Sequence, residues 1–304
     1  MKFKISLKRV VSLFLVLIFS IVLNMQFEKI PATMKNPAIK CSNKIKDKSG
    51  IDGLPAESYI LMDYKTGKVL YEKNPDEKRR VASITKIMTM LLIVEAVENK
   101  KISLDDMAVA TKNAKPSVEE ASLWLEVGEK MSVKDLLKAV AVNSCNDAAR
   151  ILAEHVAGSE EAFVKLMNKK AKEIGLKNTS FCNASGMDAE NNYSTARDIA
   201  NLTKEIMKYK WITNYTSLVK GTLKNGKFKL NNTNLLLQTY KGCNGFKTGT
   251  TKTAGNCLCA TACRNNMFLC AVSLGSKTKE DRFKACKRLL DYGFNNFKKN
   301  WFYY

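Results

Sequence analysis

Ala82-Ser83-Ile84-Thr85-Lys86-Ile87-Met88-Thr89-Met90-Leu91-Leu92-Ile93-Val94 is the stretch that decides how the rest of the chain is arranged. Ile84, Ile87, Met88, Met90, Leu91, Leu92 and Val94 leave a helix here almost no polar face, and a helix that is apolar all round is buried on all sides. The segments before and after it must therefore wrap it. Upstream, residues 59–63 and 69–72 flank a short loop containing Gly67 and predict a β-hairpin. Downstream, Ser132 is a candidate N-cap for an apolar-periodic run (Val133, Leu136, Leu137, Val140) that leads through Ser144 to a helix holding Ile151 and His155. Residues 159–174 and 195–207 predict two further amphipathic helices, each opened by a serine or threonine. Asn225-Gly226, within residues 222–230, is the strongest short hairpin signal in the chain. Residues 256–264 and 267–274, joined by Asn265-Asn266, predict another antiparallel pair, and Phe283, Cys286, Leu290 and Phe294 mark the inner stripe of a closing helix.

This order of strands, helical block, strands and terminal helix predicts an α+β fold. Both chain ends build one antiparallel sheet flanked by helices, and the helical block is an inserted subdomain.

The 304 residues, 45% hydrophobic, suffice for one large domain or two coupled subdomains. The N-terminus stands apart from that core. Lys2, Lys4, Lys8 and Arg9 precede an apolar run from Val10 to Leu23, the layout of an export signal, here expected to be cleaved rather than kept as an anchor. Residues 28–53 carry Pro31, Pro37, many lysines and no lasting periodicity, which reads as a basic linker. The expected organisation is residues 1–27 as signal or anchor, 28–53 as linker, 54–297 as the folded domain and 298–304 as a short aromatic tail.

The formal charge of +21 suits an anionic polymer or membrane surface, and export argues against nucleic acid. Nine cysteines are an odd number with no C-x-x-C pair, and His155 is the single histidine, so no metal site or other cofactor is expected. Cys257, Cys259 and Cys263 lie at even spacings, which on a strand puts them on one face as small hydrophobes. Free thiols are the expectation.

Three short motifs remain: Ser83-Ile84-Thr85-Lys86, Ser144-Cys145-Asn146 and Lys247-Thr248-Gly249. A serine at the start of a buried helix has a backbone N–H with no intrahelical partner, at the positive end of the helix dipole, where it can bind an oxyanion. Lys86, three residues on, shares its face, and an apolar wall pushes a lysine towards its neutral, basic form. A Ser-His-Asp reading built on His155 fails, because no glycine-flanked nucleophile elbow occurs in the chain.

With the three motifs in this order, the sequence resembles the active-site-serine penicillin-binding enzymes, and most closely the low-molecular-mass D-alanyl-D-alanine carboxypeptidases. The residues that carry the resemblance are 82–89, 143–149, Tyr193-Ser194-Thr195-Ala196-Arg197-Asp198, Asn232-Thr233-Asn234 and 245–250. It implies the penicillin-binding/β-lactamase-like transpeptidase fold and a peptidoglycan stem peptide ending in D-Ala-D-Ala as substrate, with β-lactam antibiotics as acylating inhibitors. By the same resemblance Ser83 attacks, Lys86 takes its proton, Ser144 relays a proton to the leaving amine and Asn146 holds the substrate amide. Lys247, Thr248 and Arg282 receive the terminal carboxylate, Gly249 permits close approach, and Thr250 adds an oxyanion N–H. Cys145 departs from the small residue usual at its position. Endopeptidase and transpeptidase activities share the acyl-enzyme step and stay open. A β-lactamase of class A would need an E-x-x-L-N loop that is missing here, and a non-catalytic wall-binding protein has little reason to keep all four of Ser83, Lys86, Ser144 and Lys247.

Overall fold

The computed structural model describes residue 51 and residues 53–117 and 120–297. The expected signal and most of the linker, together with the aromatic tail, lie outside the described residues. Ile51 and Leu54 are buried.

Strands β1 (Ser58–Asp63), β7 (Cys243–Thr251), β8 (Gly255–Arg264) and β9 (Met267–Ser276), with β2 (Val69–Lys73), form one antiparallel sheet in the order β2-β1-β9-β8-β7. The N-terminal hairpin thus docks on the C-terminal meander, with Ile60 opposite Val272 and Met62 opposite Cys270. Every residue of β1 is buried, because helices cover both faces of the sheet. On one face Tyr59, Leu61, Leu258, Ala260 and Leu269 pack under the terminal helix α8 (Lys279–Asn296), through its Ala285, Cys286, Leu289, Leu290 and Phe294. On the other, Ile60, Met62, Cys257, Cys259, Cys270 and Val272 meet the helical block.

At the centre of that block is α1 (Lys86–Glu98), buried from Lys86 to Val94. Each fully buried Ile, Leu or Met side chain there contributes about 1.5–3 kcal/mol. Around it lie α2 (Val133–Val142), α3 (Asn146–Ala157), α4 (Glu160–Glu173) and α5 (Ala196–Ile206). Ser132, Ser159 and Thr195 cap α2, α4 and α5 as expected, each accepting a backbone N–H in the first turn. Two single-turn helices, α6 (Thr213–Thr216) and α7 (Leu236–Thr239), complete the α-helices of the described residues.

Four details differ from the sequence reading. Ala82–Thr85 form a 3-10 turn before the α-helix begins at Lys86. The expected hairpin forms as β5 (Lys220–Leu223) and β6 (Phe228–Asn231), but as a separate ribbon outside the main sheet, and positive φ falls on Lys224 and Asn225 as well as Gly226. A further ribbon, β3 (Met107–Val109) with β4 (Lys130–Ser132), has strands too short to show a period. Finally, α8 turns Arg282 rather than Phe283 fully inward. Cys257 and Cys259 lie on one buried face as expected, with Cys263 half-buried at the strand end. Cys259 Sγ stands 3.8 Å from Cys270 Sγ as a thiol contact.

Candidate active site

Ser83 sits in a turn held from both sides by glycines. Ala82 has φ +48°, and the Ile84 N–H closes the 3-10 turn on the Val81 carbonyl. Against the Ala82–Ser83 peptide lie Gly186, whose absent Cβ would stand 2.0 Å from Ala82 O, and Gly249, whose Cβ would stand 2.6 Å from Val81 O and 3.1 Å from Ser83 N. Only glycine lets strand β7 and the 186 loop approach this backbone so closely.

Lys86 is completely buried and makes three contacts: Nζ to Ser83 Oγ at 2.9 Å, to Asn146 Oδ1 at 2.6 Å and to the Ser185 carbonyl at 2.6 Å. Burial, then the charge of Lys247, holds its pKa well below the ordinary lysine value. A neutral amine has two N–H donors and one lone pair. Both carbonyl oxygens can only accept, so they take the two N–H groups, and the lone pair is left facing the Ser83 hydroxyl. The partners of the lysine thus set the direction of proton transfer.

The turn between α2 and α3 brings in the second motif. Ser144 has φ +63° and is buried in the cleft wall, where its hydroxyl forms no hydrogen bond with Lys86. Asn146 opens α3; its Oδ1 faces Lys86 and its Nδ2 lies 3.4 Å from Met187 Sδ. Cys145 points away into the core, where burial, followed by the charge of Asp147, pushes its thiol up to about 12. Such a thiol is inert at neutral pH.

Strand β7 is an edge strand and supplies the opposite wall. Lys247 is buried, with its amine 3.1 Å from Thr248 O; burial, then the charge of Arg282, lowers its pKa to about 7. Thr248 donates its hydroxyl to Thr233 Oγ1 at 2.6 Å. Arg282, also buried, reaches across from α8 to donate to Gly249 O at 3.1 Å and to the Thr250 hydroxyl at 2.8 Å. The cleft between these walls measures about 410 Å³, and Ser83, Ser144, Asn146, Thr248, Gly249, Thr250 and Arg282 line it. Among the described residues its one lining carboxylate, Glu120, is ion-paired with Arg150, and the other lining charges, Lys279 and Arg282, are positive. An anionic group is favoured there.

The residues to which the resemblance gave a catalytic or binding role lie in or directly behind this cleft. His155 does not; it faces Asp106 at 3.7 Å elsewhere on the insert. Of the stretches that carried the resemblance, residues 193–198 are structural: Ser194 pairs with Arg79, and Arg197 bonds Asp76. Asn232 likewise ties down the Thr216 and Leu218 carbonyls, and of that triplet only Thr233 faces the cleft. The sequence reading missed Ser185, Gly186 and Met187. The Asn-x-Ser-Gly pattern at 183–186 marks a turn, but nothing in it points to a lysine 99 residues away in sequence.

A sequence profile described as D-alanyl-D-alanine carboxypeptidase, peptidase S11, matches residues 45–278. The chain belongs to this family. Among similar proteins, D-alanyl-D-alanine carboxypeptidase DacF of Bacillus subtilis is 46% identical over 246 residues, 80% of this chain and 63% of that protein. The chain therefore spans less than two thirds of that relative's length. Penicillin-binding protein 5 from Haemophilus influenzae superposes with a TM-score of 0.76 at 36% identity, over 79% of this chain and 71% of that one. Penicillin-binding protein D2 from Listeria monocytogenes, solved in an ampicillin-bound form, does so at 0.73 and 33% identity, over 80% of this chain and 98% of that one. The transpeptidase fold expected of the family is thus present.

Proposed function

We propose that this chain is an exported serine D-alanyl-D-alanine carboxypeptidase that removes the terminal D-alanine of peptidoglycan stem peptides through an acyl-enzyme on Ser83. The observation that carries the reading is a nucleophile hydroxyl 2.9 Å from a buried lysine amine whose other two contacts are carbonyl oxygens.

Lys86 takes the Ser83 proton as Oγ attacks the carbonyl carbon of the penultimate D-alanine. The oxyanion that forms is received by the backbone N–H groups of Ser83 and Thr250. Ser144 passes the proton to the departing D-alanine amine, and Asn146 holds the substrate amide. Water then attacks the ester and frees Ser83. The terminal carboxylate lies against Lys247 and the Thr248 hydroxyl, and Arg282 adds its charge from behind Thr250. Gly249 lets β7 close on the turn that presents Ser83. The positive balance of the cleft supports a substrate that ends in a carboxylate, and the family supports D-Ala-D-Ala.

A β-lactam presents a strained amide and a carboxylate to the same groups, a reading supported by the ampicillin-bound form of the Listeria relative. Export through residues 1–27, a linker over 28–53 and a catalytic domain over 54–297 belong to the same proposal. The charge of +21 supports retention near anionic envelope polymers or a membrane surface; no helix among the described residues is long and apolar enough to cross a membrane.

The test is release of D-alanine from a D-Ala-D-Ala-ended peptide by wild type and by Ser83→Ala. The reading expects release by wild type alone. A wild type that is inert on the peptide, or a Ser83→Ala that releases D-alanine, overturns it.

A further inference from the structure

The amine of Lys86 is aimed by a backbone carbonyl, Ser185 O, and a carbonyl is only as well placed as the loop that carries it. That loop is organised chiefly by one side chain, Asn192 Nδ2 adding a longer contact to the Met187 carbonyl at 3.4 Å. Asn183 Oδ1 accepts from the Gly186 N–H at 2.6 Å, the Met187 N–H at 3.1 Å and the Ser185 hydroxyl at 3.3 Å, while its Nδ2 donates to the Met187 carbonyl at 3.0 Å. Four polar groups on three successive residues thus converge on one amide. The peptide just before them is fixed independently: the Thr89 hydroxyl donates to Ala184 O at 2.6 Å, and the Ala184 N–H donates to Glu160 at 2.8 Å.

The same turn serves three parts of the site. Ser185 O takes one N–H of Lys86. Gly186 packs on the Ala82–Ser83 peptide. Met187, whose N–H and carbonyl are both held by Asn183, places its sulfur 3.4 Å from Asn146 Nδ2, so the amide of Asn146 turns its oxygen to Lys86.

We propose that Asn183 is a positioning residue for acylation, folding the 183–187 turn so that Ser185 O and Met187 Sδ orient Lys86 and Asn146 on Ser83. It touches no reacting atom and acts only through the turn. The inference rests on the Ser83–Lys86 reading given above, and the two fail differently.

The test measures the rate of acylation by a labelled penicillin against pH for wild type, Asn183→Ala and Asn183→Asp. Asn183→Ala loses all four contacts and is expected to acylate at least about tenfold more slowly, part of the 10²–10⁴-fold that a positioned general base supplies. Asn183→Asp keeps an acceptor for the Gly186 and Met187 N–H groups and is expected to recover most of the rate at its own optimum. Its carboxylate favours the charged form of nearby Lys86, so its rising limb lies at higher pH than that of wild type. A purely structural asparagine would lower the melting temperature of Asn183→Ala and leave its acylation rate, measured while folded, equal to that of wild type. If wild type acylates and Asn183→Ala matches it, or if both variants are equally slow with the limb where wild type has it, the inference is overturned. Should Asn183→Ala fail to fold, Asn183→Ser takes its place, and an acylation rate equal to that of wild type overturns the inference. A wild type that takes no label refutes the Ser83–Lys86 reading, and with it this inference.

Discussion

Gly186 lies so close to Ala82 that a Cβ on it would stand 2.0 Å from the Ala82 carbonyl oxygen and 3.0 Å from Ser83 N. The atoms in the way are backbone and cannot swing aside, and φ +83° at Gly186 is itself unfavourable for any side chain. Gly186→Ala must therefore displace the turn that presents Ser83. Acylation by a labelled penicillin is expected to slow by roughly a hundredfold or more, the loss that follows removal of one oxyanion donor. A time course of label uptake checks it, with circular dichroism to show that the variant is folded.

The two buried lysines give opposite pH dependences. Lys86 must be neutral to accept the Ser83 proton, and burial holds its pKa well below the ordinary value, so acylation rises with pH and levels off well short of where a solvated lysine loses its proton. Lys247 must be charged to receive a carboxylate, and its pKa stands at about 7, so kcat/KM falls as pH rises through that value in the free enzyme. A peptide with an amide in place of its terminal carboxylate is expected to lose this alkaline fall. Parallel pH profiles on the two peptides separate the groups.

Burying Lys247 also weighs on stability. Its folded pKa of about 7 lies below the ordinary 10.5, so between these values the unfolded chain binds more protons and stability rises with pH. Replacing it with an apolar side chain of similar length removes the cost of burying a charge. Lys247→Met is expected to melt about 5 °C above wild type at pH 6. The gap should narrow between pH 7 and 10.5, where folding releases the Lys247 proton and that release costs less as pH rises. Thermal unfolding at several pH values checks the sign.

Asp147, buried in the first turn of α3, accepts from the N–H groups of Leu123 and Trp124 at 2.8 and 2.9 Å and from Ala148 at 2.8 Å. It pins a loop in which Trp124 takes φ +56°. Asp147→Ala leaves these N–H groups without their acceptor and is expected to cost about 1–3 kcal/mol, read by denaturant unfolding.

What could be read from the sequence divides along physical lines. Asn265 and Asn266 signalled a two-residue turn and take φ +48° and +60° in it, because asparagine tolerates the left-handed region that a tight hairpin needs. The fully apolar face of α1 announced its burial, and the order of elements announced the shared sheet. The three motifs were legible because the chemistry proposed for them resides in side chains. Ser185 was not, since its contribution is a backbone carbonyl that any residue could present. Arg282 opens a terminal helix, where an arginine usually faces water. Its burial depends on Gly249 O and Thr250 standing across from it, which spacing along the chain does not reveal.

The most direct test of the Ser83–Lys86 account is the mass of the protein after exposure to a penicillin, followed by peptide mapping of the adduct, for wild type and Lys86→Met. The account predicts one penicilloyl group per chain in wild type, on the peptide that contains Ser83, and an adduct that forms at least about a hundredfold more slowly without the lysine, as the loss of a general base requires. An adduct on any other residue, or one that forms as fast in Lys86→Met as in wild type, would contradict it.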